Sequence, residues 1–138
     1  MRIVVVEDEA PIREGMAKIL SKINTDYKVV GTAVDGEKGL ELIRKEQPDL
    51  VIMDIRMPHM TGLEMLSQLR HEQNKCKVIV LSAYSDFAYA KQAIELGIEN
   101  YLLKPINIVE LKNALQQAEA ELVKAQNQDR AFSLEYIF

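Results

Sequence analysis

Short aliphatic runs alternate with longer stretches whose apolar residues recur every three or four positions, and the pairing repeats five times along the chain. Residues 3–6 are wholly apolar and end in acids, as expected of a strand buried on both faces. Pro11 then suits a first helical turn, and Ile12, Met16, Ile19, Leu20 and Ile23 follow at helical spacing. A second strand is predicted over 28–33, a second helix over 36–47 stopped by Pro48, and a third strand over 50–53 ending at Asp54. Beyond the breaker Pro58, Leu63, Leu66 and Leu69 mark a third helix. A fourth strand follows at 78–81 and a fourth helix from Phe87 to Leu96, closed by Gly97. A fifth strand covers 101–103, broken by Pro105, and helix resumes at Ile108.

Five alternating units of this kind predict an α/β fold, a doubly wound five-stranded parallel sheet with helices on both faces. In such sheets ligands bind outside the carboxyl ends of the strands. The last helix stands apart, because Ile108, Leu111, Leu115, Ala118, Leu122 and Ala125 are spaced as a heptad seam. Two readings are open: a core-facing stripe with a frayed end, or a helical linker that pairs with a second copy. The apolar tail at 132–138 has no place in the five-unit fold.

At 138 residues the chain has the length of one domain, and 48% hydrophobic content is enough for a substantial core. Its formal net charge of −4 gives no footprint for binding nucleic acid through this segment alone. No apolar run approaches the ~18–20 residues of a membrane span, and the strand pattern directly after Met1 is unlike a secretory signal. The single cysteine, Cys76, excludes an internal disulfide. A soluble, cytoplasmic protein without a membrane partner is expected.

Chemistry is looked for at the strand ends. Glu7, Asp8 and Glu9 follow the first strand, Asp54 the third, Ser82 the fourth and Lys104 the fifth. Each has an ordinary structural reading by itself: Asp8 as a cap for the helix that Pro11 opens, Ser82 as a turn residue, Lys104 as a solvated charge. Together they bring carboxylates, a hydroxyl and an ammonium into one crevice. Carboxylates that close repel one another unless a cation compensates. Mg2+ suits the site, since it needs only one or two protein carboxylates besides water and phosphate. Lys104 offsets the negative charge that a phosphoryl group brings, and Ser82 can donate to another phosphoryl oxygen. These residue types suit phosphoryl transfer onto an aspartate.

Val6-Glu7-Asp8-Glu9, Met53-Asp54-Ile55-Arg56-Met57-Pro58, Leu81-Ser82-Ala83 and Tyr101-Leu102-Leu103-Lys104-Pro105 together resemble the CheY-like receiver domain of two-component response regulators. The resemblance implies a flavodoxin-like fold with strand order 2-1-3-4-5. It casts residues 1–122 as the receiver domain and 123–138 as a helical extension toward an output domain. Asp54 matches the aspartate that takes a phosphoryl group from a sensor histidine kinase. Asp8 and Asp54 match direct Mg2+ ligands, the Arg56 backbone carbonyl a third, and Glu7 an acid acting through water. Glu7 departs from the commoner aspartate by one methylene, which bears on its metal contact. Ser82 and Lys104 match the phosphoryl contacts, Ser82 and Tyr101 the switch pair, and Lys104–Pro105 a cis peptide.

The stretch Ser82-Ala83-Tyr84-Ser85-Asp86-Phe87-Ala88-Tyr89-Ala90-Lys91 is similar to receivers joined to AraC-type DNA-binding domains. The implied function is a phosphorylated switch controlling an output such as transcription, not an enzyme beyond its own phosphotransfer and autodephosphorylation. DNA would be reached only through a C-terminal domain. A homodimer is expected through the face of the fourth helix, fifth strand and fifth helix, carrying Tyr89, Lys91, Glu95 and Tyr101. The alternatives are a stand-alone receiver acting by protein–protein contact and an aspartate-nucleophile phosphatase. A phosphatase of that type wants a second Asp where this chain has Arg56. His59, His71, Cys76 and the methionines are read as loop, surface or packing residues.

Overall fold

A computed structural model describes residues 1–83 and 87–137, with side chains through 128. Tyr84, Ser85, Asp86 and the side chains of the apolar tail at 132–138 therefore lie outside the described residues. Strands and helices alternate along the chain: β1 (Arg2–Val6), α1 (Ala10–Ile23), β2 (Lys28–Ala33), α2 (Gly36–Glu46), β3 (Leu50–Met53), α3 (Gly62–His71), β4 (Lys77–Ser82), α4 (Phe87–Glu95), β5 (Asn100–Leu103) and α5 (Ile108–Ile137). All neighbouring strands pair in parallel, in the order β2-β1-β3-β4-β5.

Alternation of side chains across each strand divides the core in two. Val4, Val6, Val51, Met53, Val78 and Val80 face α2 and α3, with Ala93 of α4 completing that layer. Ile3, Val5, Leu50, Ile52, Ile79 and Leu81 face α1 and α5. Both faces of the central strands are thus dry, which is why their sequences are continuous apolar runs instead of alternating ones.

Element ends follow local chemistry. The helical reading to Gln47 overshoots by one residue: Gln47 is left-handed, with φ 47°, because the α conformation is disfavoured directly before Pro48. Gly97, φ 79°, closes the turn after α4. In α3, the N-cap Thr61 accepts from the Glu64 backbone N–H at 3.1 Å, and its hydroxyl donates to the Glu64 carboxylate at 3.2 Å.

The α5 stripe is core-facing over its first turns, where Leu111, Ala114, Leu115 and Ala118 are buried. A helix covering a sheet needs a wider stripe than a two-position seam, which is why Ala114 joins it. Ile108 at the start is 41% exposed, Leu122 is half-buried and Ala125 is exposed. Among the described residues no helix is long and apolar enough to cross a membrane.

Candidate functional site at the carboxyl ends of the strands

Glu7, Asp54 and Lys104 each sit just past a strand and are held by a backbone bond that continues the sheet. The Glu7 N–H donates to the Ala33 carbonyl and the Asp54 N–H to the Val6 carbonyl, each at 3.0 Å. The Lys104 N–H donates to the Ser82 carbonyl at 2.9 Å. Residues far apart in sequence therefore meet because neighbouring parallel strands end together.

The Lys104 ammonium lies between two carboxylates, donating to Glu7 Oε1 at 2.6 Å and to Asp54 Oδ2 at 2.9 Å. Asp54 Oδ1 accepts from the Ile55 N–H at 2.6 Å, and Glu7 Oε2 from the Glu9 N–H at 3.3 Å. Glu7 and Asp54 are buried, whereas Asp8 is exposed on the loop above them. Ligand oxygens of Glu7, Asp8 and Asp54 all fall within 4.8 Å of one another. Three hard carboxylate donors share one neighbouring ammonium, a donor set that fits a small divalent cation.

Burial pushes the Glu7 carboxyl up to about 7, against the lowering effect of its bond to Lys104, and the Asp54 and Asp8 carboxylates push it the same way. Burial works against the Lys104 charge too, but its bonds to Glu7 and Asp54 outweigh that, and its pKa is raised. One ammonium does not fully neutralise the cluster, so Glu7 exchanges its proton near neutrality.

Ser82 is fully buried at the end of β4, beside the Lys104 backbone. Tyr101 is half-buried on β5, packed against the α2–α3–α4 layer together with Tyr89. The Lys104–Pro105 peptide is cis. Asp8 is not the helix cap its position suggested. The N-cap of α1 is Glu9, whose side chain makes no capping bond. His59 and His71 are exposed; Cys76 is buried, and that burial raises its thiol pKa. Met16, Met53, Met57 and Met65 are core residues.

Three supporting contacts escaped sequence reasoning. Arg13, in the second turn of α1, donates to the Glu7 carbonyl at 2.9 Å and the Asp8 carbonyl at 3.4 Å, holding the acidic loop from behind. Gly62 lies so close that a Cβ there would sit 2.0 Å from the Asp54 carbonyl oxygen, and its N–H donates to the Ile55 carbonyl at 2.8 Å. Tyr89 of α4 accepts from Arg56 Nε at 3.2 Å, with the guanidinium carbon 5.6 Å from the ring centroid. A glycine directly after an N-cap threonine was the one available signal; the two arginine contacts depend on three-dimensional proximity.

The response regulator receiver domain model matches residues 3–116. Transcriptional regulatory protein HptR of Staphylococcus aureus is 38% identical over 128 residues, covering 93% of this chain and 50% of the relative. The chain spans about half the length of the curated relatives it matches. Among solved structures, the REC domain of AraT, a response regulator from Geobacillus stearothermophilus, superposes with a TM-score of 0.81 at 34% identity, covering 91% of this chain and 97% of that one. The N-terminal domain of an uncharacterized protein from Wolinella succinogenes gives a TM-score of 0.80 at 38% identity, covering 90% and 98%. With the strand order and strand-end residues described above, these matches make the chain a member of the receiver-domain family of two-component response regulators.

Proposed function

We propose that Asp54 accepts a phosphoryl group from a sensor histidine kinase, and that Glu7, Asp8, Ser82, Tyr101 and Lys104 serve that event. The observation that carries the reading is the Lys104 ammonium bridging Glu7 and Asp54, with Asp8 within ligand distance of both. A carboxylate oxygen of Asp54 forms the new O–P bond as the N–P bond to the donor imidazole breaks. The bond electrons leave with that nitrogen. Lys104 and the Ser82 hydroxyl then meet oxygens of the transferred group.

Asp8, Asp54 and the Arg56 backbone carbonyl would hold Mg2+ directly, and Glu7 through water. When bound, the ion would neutralise charge on the transferring phosphoryl oxygens. Hydrolysis of the acyl phosphate at the same site would reset the domain. Ser82 and Tyr101 act as the switch pair that reports the phosphoryl group to the α4–β5 face.

Residues 1–122 form the receiver unit and 123–138 a helical link to an output domain, transcription being the output that the name of the S. aureus relative supports. The AraC-type output suggested by the stretch after Ser82 belongs to this proposal, as does a cytoplasmic location. A homodimer through α4, β5 and α5 completes it, with Leu122 and Ala125 of the extended α5 at the seam. DNA contact falls to the output domain.

The decisive experiment is labelling with acetyl phosphate in Mg2+. Wild type gains one acid-stable, base-labile phosphoryl group and Asp54→Asn gains none; equal labelling of the variant would refute the assignment. Sedimentation with and without beryllofluoride tests the dimer, which should tighten with the mimic. A monomer in both conditions at high concentration would overturn it.

A further inference from the structure

Glu7, Asp8 and Glu9 are three consecutive acids, and their three main-chain carbonyls converge on one residue. The Arg13 guanidinium donates from Nη1 to the Glu7 carbonyl at 2.9 Å and to the Asp8 carbonyl at 3.4 Å. The Arg13 backbone N–H donates to the Glu9 carbonyl at 3.0 Å. The two side-chain bonds are charge-assisted, and they oppose the mutual repulsion of neighbouring carboxylates.

Side-chain capping does not secure the junction of this loop with α1. The N-cap Glu9 makes no side-chain capping bond, and Pro11 in the first turn has no N–H for a cap to meet. Glu7 is buried and tied to the sheet edge through the Ala33 carbonyl, whereas Asp8 and Glu9 are exposed and packing does not fix them. Arg13 stands one turn into α1 and is half-buried, so its guanidinium works from a fixed base.

We propose that Arg13 is a positioning residue of the divalent-cation site: it fixes the main chain of residues 7–9 so that the exposed Asp8 carboxylate stays beside those of Glu7 and Asp54. It acts through the Glu7 and Asp8 carbonyls and not through the ion. The inference rests on the reading of Asp8 and Asp54 as Mg2+ ligands, whose oxygens lie with those of Glu7 within 4.8 Å of one another. Mg2+ demands near-ideal octahedral geometry, whereas Ca2+ accepts a flexible one, so a fixed loop favours the smaller ion. The Arg13 charge works in the opposite direction. A guanidinium beside the loop repels an incoming dication, and its field alone would make Mg2+ bind more tightly once the charge is removed. Positioning and field therefore predict opposite signs.

Isothermal titration of the whole chain with Mg2+ and, separately, with Ca2+ tests it, with urea melts in chelator establishing that each variant is folded. Arg13→Met removes both side-chain bonds and the charge but keeps an unbranched side chain. Its Mg2+ affinity should fall about ten-fold and its Ca2+ affinity about three-fold or less, so that the preference for Mg2+ narrows. Arg13→Lys keeps a charged donor without the planar fork and should lie between Arg13→Met and wild type. Should Arg13→Met fail to fold, Arg13→Lys carries the same comparison with a Mg2+ loss of about three-fold, and no loss there would overturn the inference.

An unchanged or raised Mg2+ affinity in Arg13→Met would overturn the positioning role, because the charge alone accounts for that sign. Equal losses for both ions would overturn it too, by showing general damage to the site in place of lost geometry. Absence of Mg2+ binding to wild type would overturn the reading of Asp8 and Asp54 as ligands, and the role of Arg13 with it.

Discussion

Lys104→Met replaces the ammonium at the centre of the site by an apolar chain of similar length. The Lys104 side chain is 11% exposed, and its partners Glu7 and Asp54 are 4% and 8% exposed, so solvent screens little of the pairing. At separations of 2.6 and 2.9 Å and an effective dielectric of about 20, each pair is worth about 6 kcal/mol before desolvation. Most of that is cancelled, because the ammonium no longer has to be buried in the variant. Glu7 limits the damage further. Its pKa of about 7 means that below neutrality it carries a proton in both proteins, leaving only the Asp54 pair to be lost.

We therefore expect a deficit of about 2–3 kcal/mol at pH 6, with Asp54 still accepting from the Ile55 N–H. From pH 4.5 to 7 both proteins should lose stability in parallel, since folded Glu7 binds a proton that the unfolded chain has released. Above pH 7 they part. Wild-type Glu7 ionises against Lys104, whereas in the variant it stays protonated, so the deficit should grow by up to about 1.4 kcal/mol per pH unit. Urea melts at pH 6 and 8.5 in chelator, followed by far-UV circular dichroism because the chain has no tryptophan, measure this directly. A deficit equal at the two pH values, or a variant as stable as wild type at both, would refute the assignment of Lys104 as the resting counter-charge.

Asp8→Ala removes an exposed carboxylate that caps no helix, so stability should change by less than about 0.5 kcal/mol. Mg2+ affinity, read by isothermal titration, should fall at least about ten-fold; an unchanged affinity would remove Asp8 from the ligand set. Gly62→Ala drives a methyl into the Asp54 carbonyl, which should cost about 1–3 kcal/mol and slow labelling by acetyl phosphate. Normal labelling at wild-type stability would show that the loop yields freely. Added Mg2+ should flatten the wild-type stability loss between pH 4.5 and 7, because the ion supplies the positive charge that ionised Glu7 lacks; a slope unaffected by Mg2+ would place Glu7 outside the ion's field.

The alternation of elements, the dryness of the central strands and the convergence of Glu7, Asp54, Ser82 and Lys104 were legible in the chain. Buried parallel strands must be continuously apolar, and the first polar residue after each must lie at the same edge of the sheet. Sequence could not say how that edge is wired. The resting pairing of Lys104 with two acids depends on side-chain reach between β1, β3 and β5, which end 97 and 50 residues away from one another along the chain. For the same reason Lys104 read as a charge awaiting phosphate, although in the fold it is already paired with Glu7 and Asp54. The Arg13 support of the acidic loop, the pressure of Gly62 on Asp54 and the Arg56 hold on Tyr89 are likewise tertiary facts, invisible to periodicity because each joins groups from separate elements or loops. The heptad seam of α5 shows the same limit from the other side. One apolar spacing serves a sheet as well as a second helix, and only the packed sheet decided that Leu111, Leu115 and Ala118 belong to the core.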